Sequence, residues 1–265
     1  MNPAVPVFAA SARYRAAVAE LPTGTRKAGS VRGSVVDIPG SGDWWTALLH
    51  AQAEGAVAAV VGNPQKVPAE AVATLLGRLS IPVAVERPLA RPDDLAAALA
   101  ARSGGPATLV TIECSAPAGD EGSALRDGLR WAATLAGGPL EATSVPIPAE
   151  GGMALLHAAT SRGHLPVTVL TTRLSRMDAL PVLRVAALGE VRSVVESGPT
   201  GAGVRLTTSS VGGSTLAAAR YESPARLALR RAVDAATSGA LLPDLADLLE
   251  DQRIVATLLQ MHNQG

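Results

Sequence analysis

The sequence predicts an α/β chain in two parts, a doubly wound parallel sheet followed by an α+β half on a mostly antiparallel, open sheet. Three observations carry this. Gly55–Val61 is a β-branched apolar run stopped by Gly62-Asn63-Pro64, Ala69–Leu79 has helical periodicity, and Ile81–Val85 is a second β-branched run. Strands apolar on both faces, joined by a helix, form a parallel unit covered on both sides. Strand and helix patterns then alternate over residues 1–115, whereas later runs are short and broken by Gly, Pro and charges.

In chain order, Val5–Ala9 reads as the first strand and Ala12–Glu20 as an amphipathic helix closed by Leu21-Pro22. Val31–Ile38 is the next strand. Ser41-Gly42-Asp43 supplies a cap for a helix over Trp44–Glu54. After the Gly55–Val85 unit, a helix starts at Arg91-Pro92-Asp93-Asp94 and runs to about Ala101, and Ala107–Glu113 reads as one more strand. A helix over Ser123–Leu135 stops at Gly137-Gly138-Pro139. Ala142–Val145, Val167–Thr172, Val182–Ala187, Val191–Glu196 and Val204–Thr208 read as strands, and Ala225–Ser238 and Asp244–Leu259 as closing helices. The expected domains are therefore 1–118 and 119–265.

Composition narrows the function classes. At 265 residues the chain buries an ample core, 48% hydrophobic but only 2% aromatic, so Ala, Val and Leu must fill it. With 23 basic against 23 acidic residues there is no electrostatic footprint for nucleic acid or an anionic membrane. One cysteine rules out an internal disulfide framework and fits a reducing compartment. No apolar run approaches a membrane span, and Met1-Asn2-Pro3 lacks the charged start of a secretory signal, so a cytoplasmic protein is expected. His50, His157, His164 and His262 show no metal-ligand spacing with one another or with Cys114, so no metal site is expected.

The segment Glu86-Arg87-Pro88-Leu89-Ala90 resembles the Glu-Lys-Pro-Leu-Ala signature of the Gfo/Idh/MocA oxidoreductases, relatives of glucose–fructose oxidoreductase and inositol dehydrogenase. Ser123–Glu141, with Asp127, Leu129-Arg130-Trp131 and Gly137-Gly138-Pro139, is similar to the helix that follows the family's catalytic motif. Leu188–Val195 and the tail from Tyr221 to Leu259 extend the resemblance over nearly the whole chain, in a shortened form. It implies a Rossmann-like domain followed by an α+β domain, and NAD(P) chemistry on a sugar-like or cyclic polyol substrate. It also implies a cis peptide before Pro88.

The positions that would do this chemistry depart from the pattern. A dinucleotide loop needs G-x-G-x-x-G so that backbone amides reach the pyrophosphate at a helix N-terminus. Here the loop is Ala10-Ser11-Ala12-Arg13-Tyr14, without glycine. Ser11, Asp37, Asn63, Pro64 and Glu86 are the family-equivalent cofactor-binding positions. Asp37 corresponds to the residue that holds ribose hydroxyls, or is a turn aspartate; Asn63 and Pro64 are explained by a turn alone. Arg13 either meets a phosphate or is solvated. Arg87 replaces the signature lysine with a guanidinium of different geometry. Asp120-Glu121-Gly122-Ser123-Ala124 aligns with the family's Asp-x-Gly-x-His motif, so Asp120 is kept and the acid/base histidine has become Ala124. Arg87 and Asp120 are thus the catalytic-equivalent pair, with Glu86–Arg87 as a plain strand-end ion pair and Asp120 and Glu121 as helix-start charges the simpler readings.

Three readings remain open. The first is a degenerate, non-catalytic oxidoreductase homologue with no cofactor expected, acting as a homo-oligomer, as the partner of an active paralogue, or in binding a small molecule. The second is an active NAD(P)-dependent oxidoreductase using Arg87 and Asp120. The third is an unrelated α/β transferase or hydrolase.

Overall fold

The computed structural model describes residues 4–21, 24–102, 105–143, 147–148, 150–176, 178–197 and 203–259. Pro22, His262 and residues 144–145 of the run expected over 142–145 lie outside them. The chain divides into two compact units, Met1–Pro88 with Tyr221–Leu249, and Leu89–Arg220 with Glu250–Gly265.

The first unit holds a parallel sheet of β1 (Val5–Phe8), β2 (Thr25–Lys27), β3 (Val35–Pro39), β4 (Ala58–Gly62) and β5 (Val83–Glu86), in the order β2-β1-β3-β4-β5. Both faces are buried, as the two-sided apolar runs require. On one face α1 (Ala12–Ala19) and α6 (Pro224–Ser238) bring Tyr14, Ala17, Ala228, Leu229 and Ala232 onto Val7, Val35 and Val60. On the other, Trp44 and Leu48 of α2 (Trp44–Ala53), Leu75 of α3 (Ala69–Arg78), and Leu245 and Leu248 of α7 (Asp244–Leu259) cover Val36, Val61 and Val85. Of the adjacent tryptophans, Trp44 is the packed one, donating its indole N–H to the Gln65 carbonyl at 3.0 Å. The short β2 carries one buried residue in three, too weak a pattern to read from sequence.

The second unit holds an eight-stranded sheet, β13-β12-β11-β10-β6-β9-β8-β7. Its strands are β6 (Ala107–Pro117), β7 (Leu140–Ala142), β8 (Gly151–Thr160), β9 (Gly163–Leu174), β10 (Val182–Gly189), β11 (Arg192–Ser197), β12 (Val204–Ser210) and β13 (Gly213–Leu216). Neighbours are antiparallel except β6 and β9. The run Ala107–Glu113 therefore belongs to this sheet and not to the first. Its burial alternates, as expected of a strand with one covered face, and the second unit accordingly takes up the chain well before residue 118. Helices α4 (Pro92–Ala101) and α5 (Glu121–Ala136) lie in this unit, and α5 buries Leu125, Leu129, Trp131 and Leu135. It ends at Gly137, whose φ of 78° is left-handed, a conformation glycine adopts without strain. Among the described residues there is no cis peptide bond, so the bond before Pro88 is trans. No described helix is long and apolar enough to cross a membrane.

Candidate functional site

In doubly wound sheets, ligands bind beyond the carboxyl ends of the strands, where the strand order reverses. In the first unit that point lies between β1 and β3. It is built from the loop after β1, the start of α1, and the ends of β3, β4 and β5.

The loop's exposed amides are not open. Asp37, at 7% exposure in the middle of β3, accepts the Ala10 N–H at 2.5 Å and the Ser11 N–H at 3.0 Å. Ser11 is the N-cap of α1, its hydroxyl accepting the Tyr14 N–H at 3.4 Å. A helix start normally offers such N–H groups to an anion. Here the anion is part of the chain.

Above them sits a second buried carboxylate. Glu86, 4% exposed at the end of β5, accepts the Tyr14 hydroxyl at 2.5 Å and pairs with the Arg13 guanidinium at 2.8 Å through the same oxygen. Burial, and then the negative charge of Glu86, hold the Tyr14 hydroxyl's pKa well above the ordinary tyrosine range, so it stays a donor at neutral pH. Glycine at position 62 leaves room for the Arg13 guanidinium. A Cβ there would meet the Arg13 terminal nitrogen at 2.6 Å.

Ser11, Asp37 and Glu86 are thus brought together, with Arg13 and Tyr14 added. Arg13 is half exposed, as a solvated side chain would be, but one of its terminal nitrogens pairs with the buried Glu86. Glu86 in turn pairs across to α1 and not simply with its neighbour Arg87, since successive residues of an extended strand point to opposite sides. Asn63 sits at φ 47°, a turn conformation that asparagine tolerates, and its N–H donates to the Glu86 carbonyl at 3.0 Å. Pro64 follows in the same turn, close against Gly40. Arg87 is buried in the first unit.

The remaining positions lie in the second unit. Asp120 is exposed at the N-cap of α5 and makes no side-chain capping bond. Ala124 is 2% exposed, packed in that unit's core. Nearby, Cys114 is buried, and burial, then the charges of Asp127 and Glu121, push its thiol up to about 12. It is a neutral wall group and not a nucleophile. His157 and His164 meet edge to face with ring centres 4.4 Å apart, and His157 contacts Glu141 at 3.0 Å. No group of three or more His, Cys, Asp or Glu among the described residues is placed to hold a metal ion.

Tyr14 is the residue that sequence reading missed. Its partner lies 72 positions away, and a tyrosine in a first helical turn carries no local signal of such a bond.

No protein-family model matches the chain, and no curated protein does. Solved structures do. A UDP-N-acetylglucosamine 3-dehydrogenase from Acidithiobacillus ferrooxidans is 16% identical with a TM-score of 0.63, covering 97% of this chain and 87% of that one. A 3-ketoreductase from Actinomadura kijaniata, solved with TDP-benzene and NADP, is 14% identical with a TM-score of 0.62, covering 98% and 97%. A D-galactose-1-dehydrogenase from Rhizobium etli is 15% identical with a TM-score of 0.64, covering 97% and 94%. The chain shares the fold of these sugar-nucleotide and sugar oxidoreductases along nearly its whole length.

Proposed function

We propose that the chain is a degenerate Gfo/Idh/MocA-type homologue that neither binds NAD(P) nor transfers hydride, and that works in the cytoplasm as a subunit or small-molecule-binding protein. The observation that carries this reading is the Asp37 carboxylate on the Ala10 and Ser11 amides. A pyrophosphate taking those amides would have to displace a buried carboxylate and sit beside it. Two like charges about 4 Å apart repel by about 4 kcal/mol at a near-surface effective dielectric. The glycine-free loop, the alanine at position 124 and the guanidinium at position 87 support the same reading independently. The favouring observation for an active NAD(P)-dependent oxidoreductase is the fold shared with a ketoreductase solved with NADP.

Restoring the signature residues tests the choice. The double variant Arg87→Lys/Ala124→His is expected to show no NAD(P)H-dependent turnover with sugars or cyclic polyols, because the hydride donor has no seat. Since Ala124 is packed, the wild type is assayed beside it and folding is checked by circular dichroism. Turnover in either protein would overturn the reading.

Association follows from the exposed side of the second unit's sheet. Met153 and Leu170 are direct cross-strand partners at 62% and 47% exposure, and Leu155, at 47%, is two residues from Met153 on the same face. Adjacent exposed apolar side chains of this kind favour burial against another chain. Beside it Arg184 pairs with both Glu113 and Glu196 across the strands. Light scattering at micromolar concentration is expected to give at least twice the chain mass, alone or with an active paralogue. A strict monomer with no partner would leave only small-molecule binding.

A further inference from the structure

The second unit contains an open cavity of about 180 Å³ that the reading above does not use. It lies between the first turn of α5, the ends of β6 and β9, and the Ile147-Pro148 segment. Its depth is apolar: Ala116, Leu125 and Ile147 are all at most 2% exposed, and Leu259 closes one side. The volume falls below the roughly 300–1,000 Å³ of a drug-sized site, so it suits one small metabolite and excludes a sugar nucleotide.

The rim carries two opposite charges. Arg173 Nε donates to Glu121 Oε1 at 2.9 Å, and Glu121 Oε2 accepts the Gly119 N–H at 2.6 Å. Among the described residues, nothing pairs with the two terminal nitrogens of Arg173. That edge of a guanidinium is a planar fork matched to a carboxylate. A ligand with a carboxylate alone would add a second negative charge next to Glu121. A ligand with an ammonium alone would add a second positive charge next to Arg173. A zwitterion adds both charges at once, one opposite each rim group, with no net charge. A polyol would find only the Thr171 and Thr172 hydroxyls beside the rim pair, over an otherwise apolar lining.

We propose that this cavity binds a free α-amino acid with a branched aliphatic side chain. Its carboxylate lies on the terminal nitrogens of Arg173, its ammonium on Glu121, and its side chain among Ala116, Leu125 and Ile147. The inference gives a ligand class to the small-molecule-binding part of the proposed function and rests on that part alone.

The test is thermal unfolding of the full chain with L-leucine, 4-methylpentanoate, 3-methylbutylamine and myo-inositol. L-leucine at millimolar concentration is expected to raise the midpoint saturably, and the two single-charge analogues to bind about tenfold more weakly or worse. Arg173→Gln is expected to abolish the leucine shift. Glu121→Gln is expected to weaken leucine while improving 4-methylpentanoate, a reversal that a general loss of folding cannot produce. The absence of a saturable leucine shift in the wild type, its survival in R173Q, equal binding of 4-methylpentanoate, or preference for inositol would each overturn the proposal. NADPH is not among these ligands, so failure here leaves the reading of the first unit standing, and NADPH binding would leave this one standing.

Discussion

Trp131→Ala is expected to lower the unfolding free energy of the second unit by about 3–5 kcal/mol. Trp131 is fully buried on α5 in the core formed with Ile112, Leu129 and Leu183. The core around it is built from aliphatic side chains, which leave a cavity when the indole is removed. The indole N–H also donates to the Leu89 carbonyl at 2.6 Å. Removing it leaves that acceptor short of a partner, which costs about 1–3 kcal/mol by itself when water does not reach the group. Urea unfolding followed by circular dichroism reads the change as a lower midpoint. Trp131→Phe refills most of the volume and is expected to recover more than half of the loss. A cost below about 1 kcal/mol for the alanine variant would mean that the site relaxes far more than its packing suggests.

Asp244→Ala is the second large effect, in the other unit. Asp244 begins α7, and its carboxylate accepts the Val85 N–H of β5 at 3.0 Å. It also takes both terminal nitrogens of Arg231, at 2.5 and 2.7 Å. β5 is an edge strand, and this carboxylate satisfies an N–H that no neighbouring strand reaches. Truncation strands a buried N–H and an arginine whose side chain is 20% exposed. Breaking a buried pair costs about 3–5 kcal/mol, and the residual access of Arg231 to water places this case toward the lower figure. Asp244→Asn keeps an acceptor for Val85 and is expected to cost less. Equal losses for the two substitutions would show that the charge on Arg231, and not the strand edge, dominates.

Much of the fold was legible because its elements are locally marked. The helix Asp244–Leu259 and the starts of the helices at Ala12, Trp44 and Ala69 are where apolar spacing puts them, although Asp43, ahead of Trp44, makes no side-chain capping bond. Apart from β2, the strands of the first sheet are short apolar runs with clear stops, although β3 extends over Val35–Pro39 and not from Val31. Ala107–Pro117 went to the second sheet because a strand's partner is decided by tertiary contact, which the pattern of a single strand does not encode. β8 was missed for a related reason: Gly151–Thr160 mixes Gly, Met and Ala with one exposed face, so it lacks the β-branched signature.

The site was half legible. The absence of glycine from Ala10 to Tyr14 is plain in the sequence, and Asp37 and Glu86 stood out as acidic residues at strand ends. That Asp37 turns back onto the loop's own amides, and that Arg13 and Tyr14 share one oxygen of Glu86, depends on how β1, β3, β4 and β5 stand side by side. No spacing along the chain contains that. The cavity rim likewise joins Glu121 to Arg173 across 52 positions.

The central claim is that the chain's own carboxylate holds the place of a cofactor phosphate, and thermal unfolding with NADPH tests it most directly. A ligand present at a hundred times its dissociation constant adds about 2.7 kcal/mol of stability, enough to move the midpoint by several degrees. The account predicts no shift with NADPH or NADH up to millimolar concentration. A saturable rise of the midpoint at micromolar NADPH would contradict it, because those amides would then have to release Asp37 in favour of the cofactor.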